Sequence, residues 1–341
     1  MAAPPDGSTA VAAPEAPRLR VGGRTLPDLG LWGPVLALAV LCLALALLAD
    51  RFATVANLKA IADQASIPAV LAVGLSFVIV MGAIDLSIEG IMAAAAIITA
   101  LLVANERNDL DLGLLGVAIA VAVGAGLGFL NGIINARLRV PSFMVTLGMG
   151  SIGLGIATIL FGDRPPRISD PSIRAWGLDE FLGLPRFAFV ALGCVAVGYA
   201  IQRYTRMGRY AFAIGGGEDL ARLSGLRVER YKTIVFAFAG ALFALGGAMA
   251  AARVGIGSPT AGSGQLFATI TAVVVGGTLL SGGRGGVLHS TVGVLIVTVL
   301  GNGLVLLGVD DSIQRAVQGA IIVAAVAATT WSARDRLRVI K

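Results

Sequence analysis

Long stretches without Asp, Glu, Lys or Arg dominate this chain, and almost every charged residue lies between them. Ten such stretches occur, at 30–49, 64–84, 91–104, 112–136, 140–162, 187–202, 233–252, 254–283, 285–309 and 316–333. A helix needs roughly 20 apolar residues to cross a bilayer. Seven stretches approach or exceed that length, and the three shorter ones reach it with flanking residues. The pattern predicts an all-α, polytopic integral membrane protein with about ten transmembrane helices.

The composition supports a membrane protein and disfavours a nucleic-acid-binding one. Hydrophobic residues make up 57% of the chain and charged residues only 13%, whereas soluble domains carry roughly 25% charged residues. The net charge is +6, but the basic residues lie in short loops and not in one cluster on a folded domain, as nucleic-acid binding requires. We therefore attribute the positive charge to membrane topology and expect no nucleic acid as a partner.

The distribution of basic residues predicts the orientation. With both termini in the cytoplasm, the inside segments are the N-terminal tail, the loops near 85, 138 and 284, the loop 203–232 and the C-terminus. These segments hold most of the 26 basic residues, as the positive-inside rule requires. Both termini are therefore predicted to be cytoplasmic.

The same analysis divides the chain into three parts. Residues 1–28 are rich in Pro, Ala and Gly and are predicted to be a disordered cytoplasmic tail. The transmembrane domain is predicted to extend over 29–332, and 333–341 form a cytoplasmic C-terminal tail.

The loop 203–232 contains seven basic residues and a short amphipathic helix pattern. The glycines at 215–217 are expected to break the chain. Glu218 and Asp219 then occupy a first helical turn, where the helix dipole favours negative charge. Gly225 provides a C-terminal stop. The segment between these glycines is therefore predicted to form a helix of about two turns.

The apolar residues of this short helix share one face. Leu220, Leu223 and Ser224 follow i, i+3 and i+4 spacing. Because a helix this short is unstable alone in water, its apolar face needs a surface to pack against. A membrane-surface helix that ties two spans together and a helix that docks a partner protein both fit the pattern.

A second unusual loop, MGAIDLSIEGI at 81–91, places two carboxylates between apolar runs. An ionised group at membrane depth is costly, which makes Asp85 and Glu89 functional candidates. The alternative is a cytoplasmic turn in which Asp85 or Ser87 is the N-cap of the next helix and Glu89 lies in its first turn. Spacing alone favours this alternative.

A third segment, 253–286, is rich in glycine. Four glycines and Pro259 fall within 255–264, where they oppose helix formation. No charged residue occurs from 254 to 283, so the irregular backbone is expected to lie inside the protein. Irregular backbone at membrane depth occurs where it lines a cavity or is covered by protein. A broken or re-entrant segment is therefore predicted here.

Several of these motifs resemble one transporter family. Residues 205–225, TRMGRYAFAIGGGEDLARLSG, resemble the cytoplasmic coupling loop of ABC importer permeases of the ribose and simple-sugar (monosaccharide) family. Within them, DLARLSG at 219–225 is similar to the Glu-Ala-Ala-x-x-x-Gly signature of importer permeases. Asp219 stands where Glu is usual, and Leu220 where Ala is usual.

Further segments resemble the same family in the same order along the chain, from position 57 to about 330. They are GAIDLS at 82–87, PSFMVTLG at 141–148, SPTAGSG at 258–264, AVVVGGT at 272–278 and GNGLVLLGV at 301–309. After GAIDLS, Glu89 and Gly90 stand where the sugar permeases usually have Gly and a small residue. Related nucleoside permeases have Ile-Glu-Gly at this place.

The resemblance implies the transmembrane permease subunit of an ATP-binding-cassette importer in a bacterial inner membrane. It implies three protein partners besides the lipid bilayer: ABC ATPase subunits, an extracytoplasmic solute-binding protein and a second permease subunit in a homodimer or pseudo-dimer. The solute implied is a small polar one, a monosaccharide first. The implied ATPase-coupling residues are Glu218, Asp219, Leu220, Ala221, Arg222, Leu223 and Gly225. The pathway candidates are Asp85, Ser87, Glu89, Pro259, Thr260 and Asn302.

Other functional classes remain as alternatives. A nucleoside permease is the nearest, and a secondary transporter would need intramembrane charges for ion coupling, which the stretches lack beyond Asp85 and Glu89. A membrane scaffold would not need a docking helix. The sequence contains no P-loop and no Gly-x-Ser-x-Gly motif, so ATP hydrolysis is expected in a separate subunit. The only histidine, His289, has no ligand residues beside it, and we expect no metal or cofactor.

Overall fold

The computed structural model describes residues 31–310, two strands at 20–21 and 24–25, and helical residues at 312–313, 316–317, 319–320 and 323. The helices are α1 (Trp32–Leu48), α2 (Val55–Val80), α3 (Ile88–Leu102), α4 (Leu114–Arg137), α5 (Ser142–Phe161), α6 (Pro171–Leu178), α7 (Arg186–Tyr204), α8 (Arg206–Gly216), α9 (Glu218–Leu223), α10 (Val228–Val254), α11 (Gln265–Val275) and α12 (Val287–Leu306). Strand β1 (Arg20–Val21) pairs antiparallel with β2 (Arg24–Thr25), and β3 (Glu180–Phe181) pairs antiparallel with β4 (Leu184–Pro185).

The helical, membrane-spanning architecture predicted from the sequence is confirmed. Six helices, α2, α4, α5, α7, α10 and α12, are long and apolar enough to cross a membrane, and α1, α3 and α11 are shorter apolar helices. The described residues therefore do not show ten spans. The stretch 316–333 falls mostly outside the described residues, as does most of the predicted tail 1–28. The predicted tail 333–341 lies entirely outside them.

One predicted span is wrong in its extent. Within 255–283 only α11 is helical, and it has 11 residues. The preceding helix ends at Val254, the next residue Gly255 has a left-handed φ of 80°, and the chain from there to Gly264 is irregular. After α11, Gly277 and Gly282 also adopt positive φ, which a helix cannot accommodate. The prediction of irregular backbone at 255–264 is confirmed.

A glycine stripe on α4 makes a close interhelical contact with α10. A Cβ added at Gly128 would lie 2.2 Å from the carbonyl oxygen of Phe236, and one at Gly124 would lie 2.3 Å from Cβ of Ala244. The sequence shows these glycines at four-residue spacing, which predicts a close approach by a neighbouring helix. That prediction is confirmed, with α10 as the neighbour.

The two ends of the helical bundle differ. At one end, called the basic end here, lie α8, α9, the α4–α5 turn and the C-terminus of α2. The loop after α11 also reaches this end, where Gly283 N donates a hydrogen bond to the carbonyl oxygen of Val80 at 2.8 Å. The opposite end contains α6 and the β3–β4 hairpin, whose Glu180 is 2.7 Å from Lys59 at the start of α2.

Candidate functional site

Helix α8 precedes the predicted short helix and includes two of the three glycines at which the sequence predicted a break. It begins after Thr205, whose Oγ1 accepts a hydrogen bond from Gly208 N at 3.4 Å. The prediction of a break across 215–217 is wrong for the first two glycines, because Gly215 and Gly216 are the last residues of α8. A Cβ at Gly215 would lie only 1.9 Å from the carbonyl oxygen of Val80. The glycine thus serves close packing, and the chain turns only at Gly217.

The predicted short helix is present as α9, and ion pairs fix its position. Glu218 lies 3.0 Å from Arg222 and 2.6 Å from Lys232, and Arg222 also contacts Glu229. Lys232 and Glu229 belong to the first turns of α10. Partial burial alone raises the pKa of the Glu218 carboxyl, but Lys232 and Arg222 outweigh it and hold that pKa below its usual value. The network attaches α9 to α10 while leaving its other side free.

The free side of α9 is apolar. Leu220 is 71% exposed and Leu223 is 85% exposed, whereas Ala221 faces inward and is buried. The two leucines and Asp219 are therefore largely open to the surroundings. Gly225 adopts a left-handed φ of 80° two residues after the helix ends, which agrees with its predicted role as a stop. A cavity of about 550 Å³ extends along this surface beside Tyr210.

The segment before α3 is extended and enters the interior beside α5. Ile84 N donates to Ser142 Oγ at 3.0 Å, and Leu86 N donates to Thr146 Oγ1 at 2.9 Å. These side-chain acceptors replace the helical hydrogen bonds that the backbone loses when α2 ends at Val80. The segment is therefore irregular backbone packed against α5. Spacing alone favours a turn on the surface, and the complete burial of Asp85 and Ser87 argues against such a turn.

Asp85 and Ser87 form a buried polar cluster at the start of α3. Oδ1 of Asp85 accepts hydrogen bonds from Ser87 N at 2.8 Å and from Ser87 Oγ at 2.5 Å. Asn131 of α4 donates to the same Ser87 Oγ at 3.1 Å. All three side chains are fully buried. These hydrogen bonds hold the first residues of α3 in place next to α4.

Glu89 joins the two short helices α3 and α11. Its Oε1 accepts hydrogen bonds from Gly264 N at 2.9 Å and from Leu266 N at 3.3 Å, at the start of α11. A carboxylate is favourable there because the first N–H groups of a helix lack intrahelical partners. The sequence suggested that Glu89 belongs to the first turn of its own helix. The structure adds a role for it as an acceptor for a helix much further along the chain.

From this junction the two helices run to opposite ends of the bundle. Helix α3 ends next to α6, where Asp170 N donates to the carbonyl oxygen of Ala104 at 3.2 Å. The loop after α11 reaches the basic end, where Gly283 contacts Val80. The N-termini of both helices therefore meet in the interior, and both broken segments begin or end there.

A cavity of about 220 Å³ lies at this junction. Glu89, Pro259, Ser151 and Ser263 border it, together with apolar side chains that include Leu147 of α5. This lining combines a few hydrogen-bonding groups with apolar walls, which is typical of a site for a small polar molecule. The cavity can accept hydroxyl groups at its polar side.

The structure brings together some of the predicted pathway residues and separates others. Glu89 and Pro259 line the cavity, and Thr260 follows Pro259 in an exposed turn where its hydroxyl lies 2.8 Å from that of Ser258. Asn302 does not belong to this site. Its Nδ2 donates to Asn57 Oδ1 at 2.9 Å and joins α12 to α2.

Sequence reasoning missed Ser151 and Ser263 of the cavity, and Glu229 and Lys232 at the base of α9. Ser263 lies within the glycine-rich segment, so the argument for a cavity there could have included it. Ser151 lies in the charge-free stretch of α5 without any local signal. Glu229 and Lys232 are separated from Glu218 by a turn whose geometry the sequence does not specify.

Comparisons with known proteins agree with this architecture. The sequence profile of a family described as the permease component of branched-chain amino acid transport systems matches residues 57–326. The ribose import permease protein of Escherichia coli K12 is 36% identical over 296 residues, which cover 86% of this chain and 91% of that protein. The ribose import permease protein of Bacillus subtilis is 34% identical, with coverage of 86% and 91%.

An L-arabinose transport system permease protein of Escherichia coli K12 is 32% identical over 295 residues, which cover 86% of this chain and 89% of that protein. No solved structure matches the chain significantly. The family profile spans most of the chain, and the relatives align along nearly their whole length. This chain therefore belongs to the family of transport-system permease components, and it is similar to ribose and L-arabinose permeases over most of its length.

Proposed function

We propose that this chain is the membrane-spanning subunit of an ATP-driven bacterial importer that carries a monosaccharide across the inner membrane. The sugar assignment follows from the similarity to ribose and L-arabinose permeases. ATP hydrolysis is assigned to separate ATPase subunits, and delivery of the sugar to an extracytoplasmic binding protein.

The exposed apolar face of α9 is the observation that carries the coupling role. A helix of six residues does not persist alone in water, and here ion pairs hold one side of it while Leu220 and Leu223 remain exposed on the other. This arrangement suits a rigid element that docks into an apolar groove of a partner. We assign that partner to the ATPase.

The orientation follows from the position of the basic residues. The basic end carries arginines on α8, α9 and the α4–α5 turn, and the positive-inside rule places such an end in the cytoplasm. In this orientation α9 faces the ATPase, and α6 with the β3–β4 hairpin faces the binding protein. Both termini, with the tail 1–28 and the tail 333–341, then belong to the cytoplasm, and 29–332 form the permease domain.

The translocation pathway is assigned to the cavity at Glu89. Ser151, Ser263 and Glu89 provide hydrogen-bonding partners for sugar hydroxyls, and the buried Asp85–Ser87 cluster positions the start of α3 next to them. The adjacent face of α5 is apolar and open, since Met144 is 55% exposed and Leu147 is 57% exposed. A second permease subunit across this face would close the pathway between the two copies.

Coupling between α9 and the pathway is proposed to pass through α8. Movement of α9 shifts Gly215, which packs directly on the end of α2 at Val80. Val80 precedes the extended segment that leads to Asp85, and it also binds Gly283 after α11. Closure of the ATPase subunits would therefore act on both broken segments.

The test uses Leu223→Asp with Leu182→Asp as the matched control. Leu182 lies at the turn of the β3–β4 hairpin at the opposite end and is 82% exposed, against 85% for Leu223. Both changes add one carboxylate at an exposed leucine outside the spans. An unpaired charge in a buried contact is costly, so we expect only Leu223→Asp to lose co-purification with the ATPase, which is the measurement that the control matches. Leu223→Asp should also lose ATP-dependent uptake.

Uptake is measured in proteoliposomes with the ATPase and binding protein of the same transport system, using labelled ribose, L-arabinose and a nucleoside. Wild-type uptake by Leu223→Asp would rule out the coupling role of α9. Transport of the nucleoside in preference to both sugars would instead favour the nucleoside importer, which Glu89 and Gly90 suggest by their similarity to nucleoside permeases.

A further inference from the structure

A second cavity, of about 520 Å³, opens between α4 and α10 at the basic end. Arg137, Arg227 and Arg230 border it, and Phe129 and Ile133 belong to its wall. On α4, Ile133 lies about one turn before Arg137, and Phe129 about two turns before it. The cavity is therefore positively charged toward the end of the bundle and apolar toward the interior of the membrane.

The positive charge of this cavity is not neutralised within the described part of the chain. None of its three arginines takes part in an ion pair among those residues, and all three are exposed. Glu229 also lines the cavity, but its carboxylate is bound to Arg222 of α9. The cavity thus presents three free guanidinium groups to its surroundings.

The apolar wall continues the outer surface of the bundle. Phe129 is 48% exposed, and Ile234 of α10, which also lines the cavity, is 37% exposed. A ligand that contacts both parts of the cavity needs an anionic group to pair with the arginines and an apolar group to pack against Phe129 and Ile234. A free anion would leave the apolar wall in contact with water.

We propose that this cavity binds an anionic glycerophospholipid of the leaflet at the basic end. The arginines hold the phosphate, since guanidinium groups form strong charge-assisted hydrogen bonds to phosphate oxygens. The acyl chains lie along Phe129, Ile133 and Ile234. Basic pockets between transmembrane helices on the cytoplasmic side are suited to such headgroups.

The lipid would also lie beside the coupling region. Arg227 directly precedes α10, and Glu229 in the same cavity pairs with Arg222 of α9. A phosphate bound in this cavity would therefore lie close to an ion pair that holds α9.

The test measures lipid binding by the purified full-length chain, with bound lipid counted by native mass spectrometry. The probes are phosphatidylglycerol and phosphatidylcholine with the same acyl chains. The cavity variant combines Arg137→Gln, Arg227→Gln and Arg230→Gln. The matched control combines Arg203→Gln, Arg206→Gln and Arg209→Gln, three exposed arginines of the same end outside the cavity.

We expect phosphatidylglycerol to bind the wild type more tightly than phosphatidylcholine does. The cavity variant should bind phosphatidylglycerol roughly a hundredfold more weakly than the wild type, because each of the three basic side chains strengthens anionic-lipid binding about fivefold. The control variant should change by less than about twofold. Size-exclusion elution at the wild-type position checks that both variants are folded.

Equal loss in both variants, or no loss in the cavity variant, would overturn the proposal. Displacement of phosphatidylglycerol by millimolar inorganic phosphate would also overturn it, because the site would then be a simple anion site. Ile133→Asn keeps every charge while interrupting the apolar wall. It should weaken phosphatidylglycerol binding as well, and unchanged binding in this variant would contradict the assigned position of the acyl chains.

Discussion

The α4–α10 contact and helix α9 differ in the side chains that they present. The first has glycines at its surface, and the second has exposed leucines. On α4, glycines remove side chains so that two backbones touch, and the contact is complete within this chain. On α9, two leucines are largely exposed. The difference predicts that stability is concentrated in the first region, and that the second relies on a few surface ion pairs and on the proposed partner.

Gly128→Ala is expected to have the largest effect on stability and tests the first side of the comparison. Its methyl group would lie 2.2 Å from the carbonyl oxygen of Phe236, so α4 and α10 must move apart. Overpacking of this kind costs roughly 1–3 kcal/mol. Thermal unfolding in detergent measures the loss.

Gly126→Ala provides the control on the same helix, since no atom lies within 4 Å of a Cβ at Gly126. Alanine there should be neutral or stabilise by up to about 1 kcal/mol, because glycine is unfavourable inside a helix. Equal losses in both variants would show that the contact with α10 is not what the glycines provide.

The junction at Glu89 lies between the two extremes, because it joins two helices through polar groups that are partly exposed. Glu89→Ala removes the acceptor of Gly264 N and Leu266 N, which costs about 1 kcal/mol because water can replace the lost partner. Glu89→Gln keeps a side-chain oxygen that can accept these bonds and should retain wild-type thermal stability. We expect both variants to reduce uptake, since the cavity loses its carboxylate in each.

If Glu89→Gln transports sugar at the wild-type rate, Glu89 has only a structural role at the start of α11 and is removed from the pathway. A stable Glu89→Ala variant would instead show that the two hydrogen bonds contribute little to the junction.

Gly225→Val tests the second side of the comparison, with a smaller and local effect. Gly225 has open space around its Cα and a left-handed φ of 80°, so the change acts through backbone strain alone, about 1–2 kcal/mol. Amide hydrogen exchange of α9 should become faster while exchange in α4 and α10 stays unchanged. Gly225→Asn should remain close to wild type, because asparagine tolerates this conformation.

The smallest expected effect is a pH dependence of the α9 attachment. The ion pairs of Glu218 lower the pKa of its carboxyl, so their contribution is complete above the unfolded value of about 4.3 and is lost as the pH falls through the lower folded value. Exposed pairs of this kind contribute at most about 1 kcal/mol. Mobility of a spin label at Leu223 should rise below about pH 4, whereas Glu218→Gln should show high mobility at every pH.

Much of this architecture could be predicted from local sequence signals. The glycine stripe of α4 follows from four-residue spacing, and α9 follows from Glu218, Leu223 and Gly225. Contacts between distant segments could not be predicted. Glu89 and Gly264 are 175 residues apart, and nothing near Gly215 in the sequence indicates that Val80 packs on it. The break expected at 215–217 failed for this reason, because tertiary packing overrides the low helix propensity of glycine.

The meeting of α3 and α11 at Glu89 has a consequence for alternating access. In the proposed pathway, a sugar bound at Glu89 would contact the N-termini of two helices that extend toward opposite ends of the bundle. A small rotation at this common pivot is magnified over the length of each helix, so opening toward one side and closing toward the other can arise from one local displacement. The bound solute would then affect both ends of the pathway directly through α3 and α11, and not through the long membrane-spanning helices.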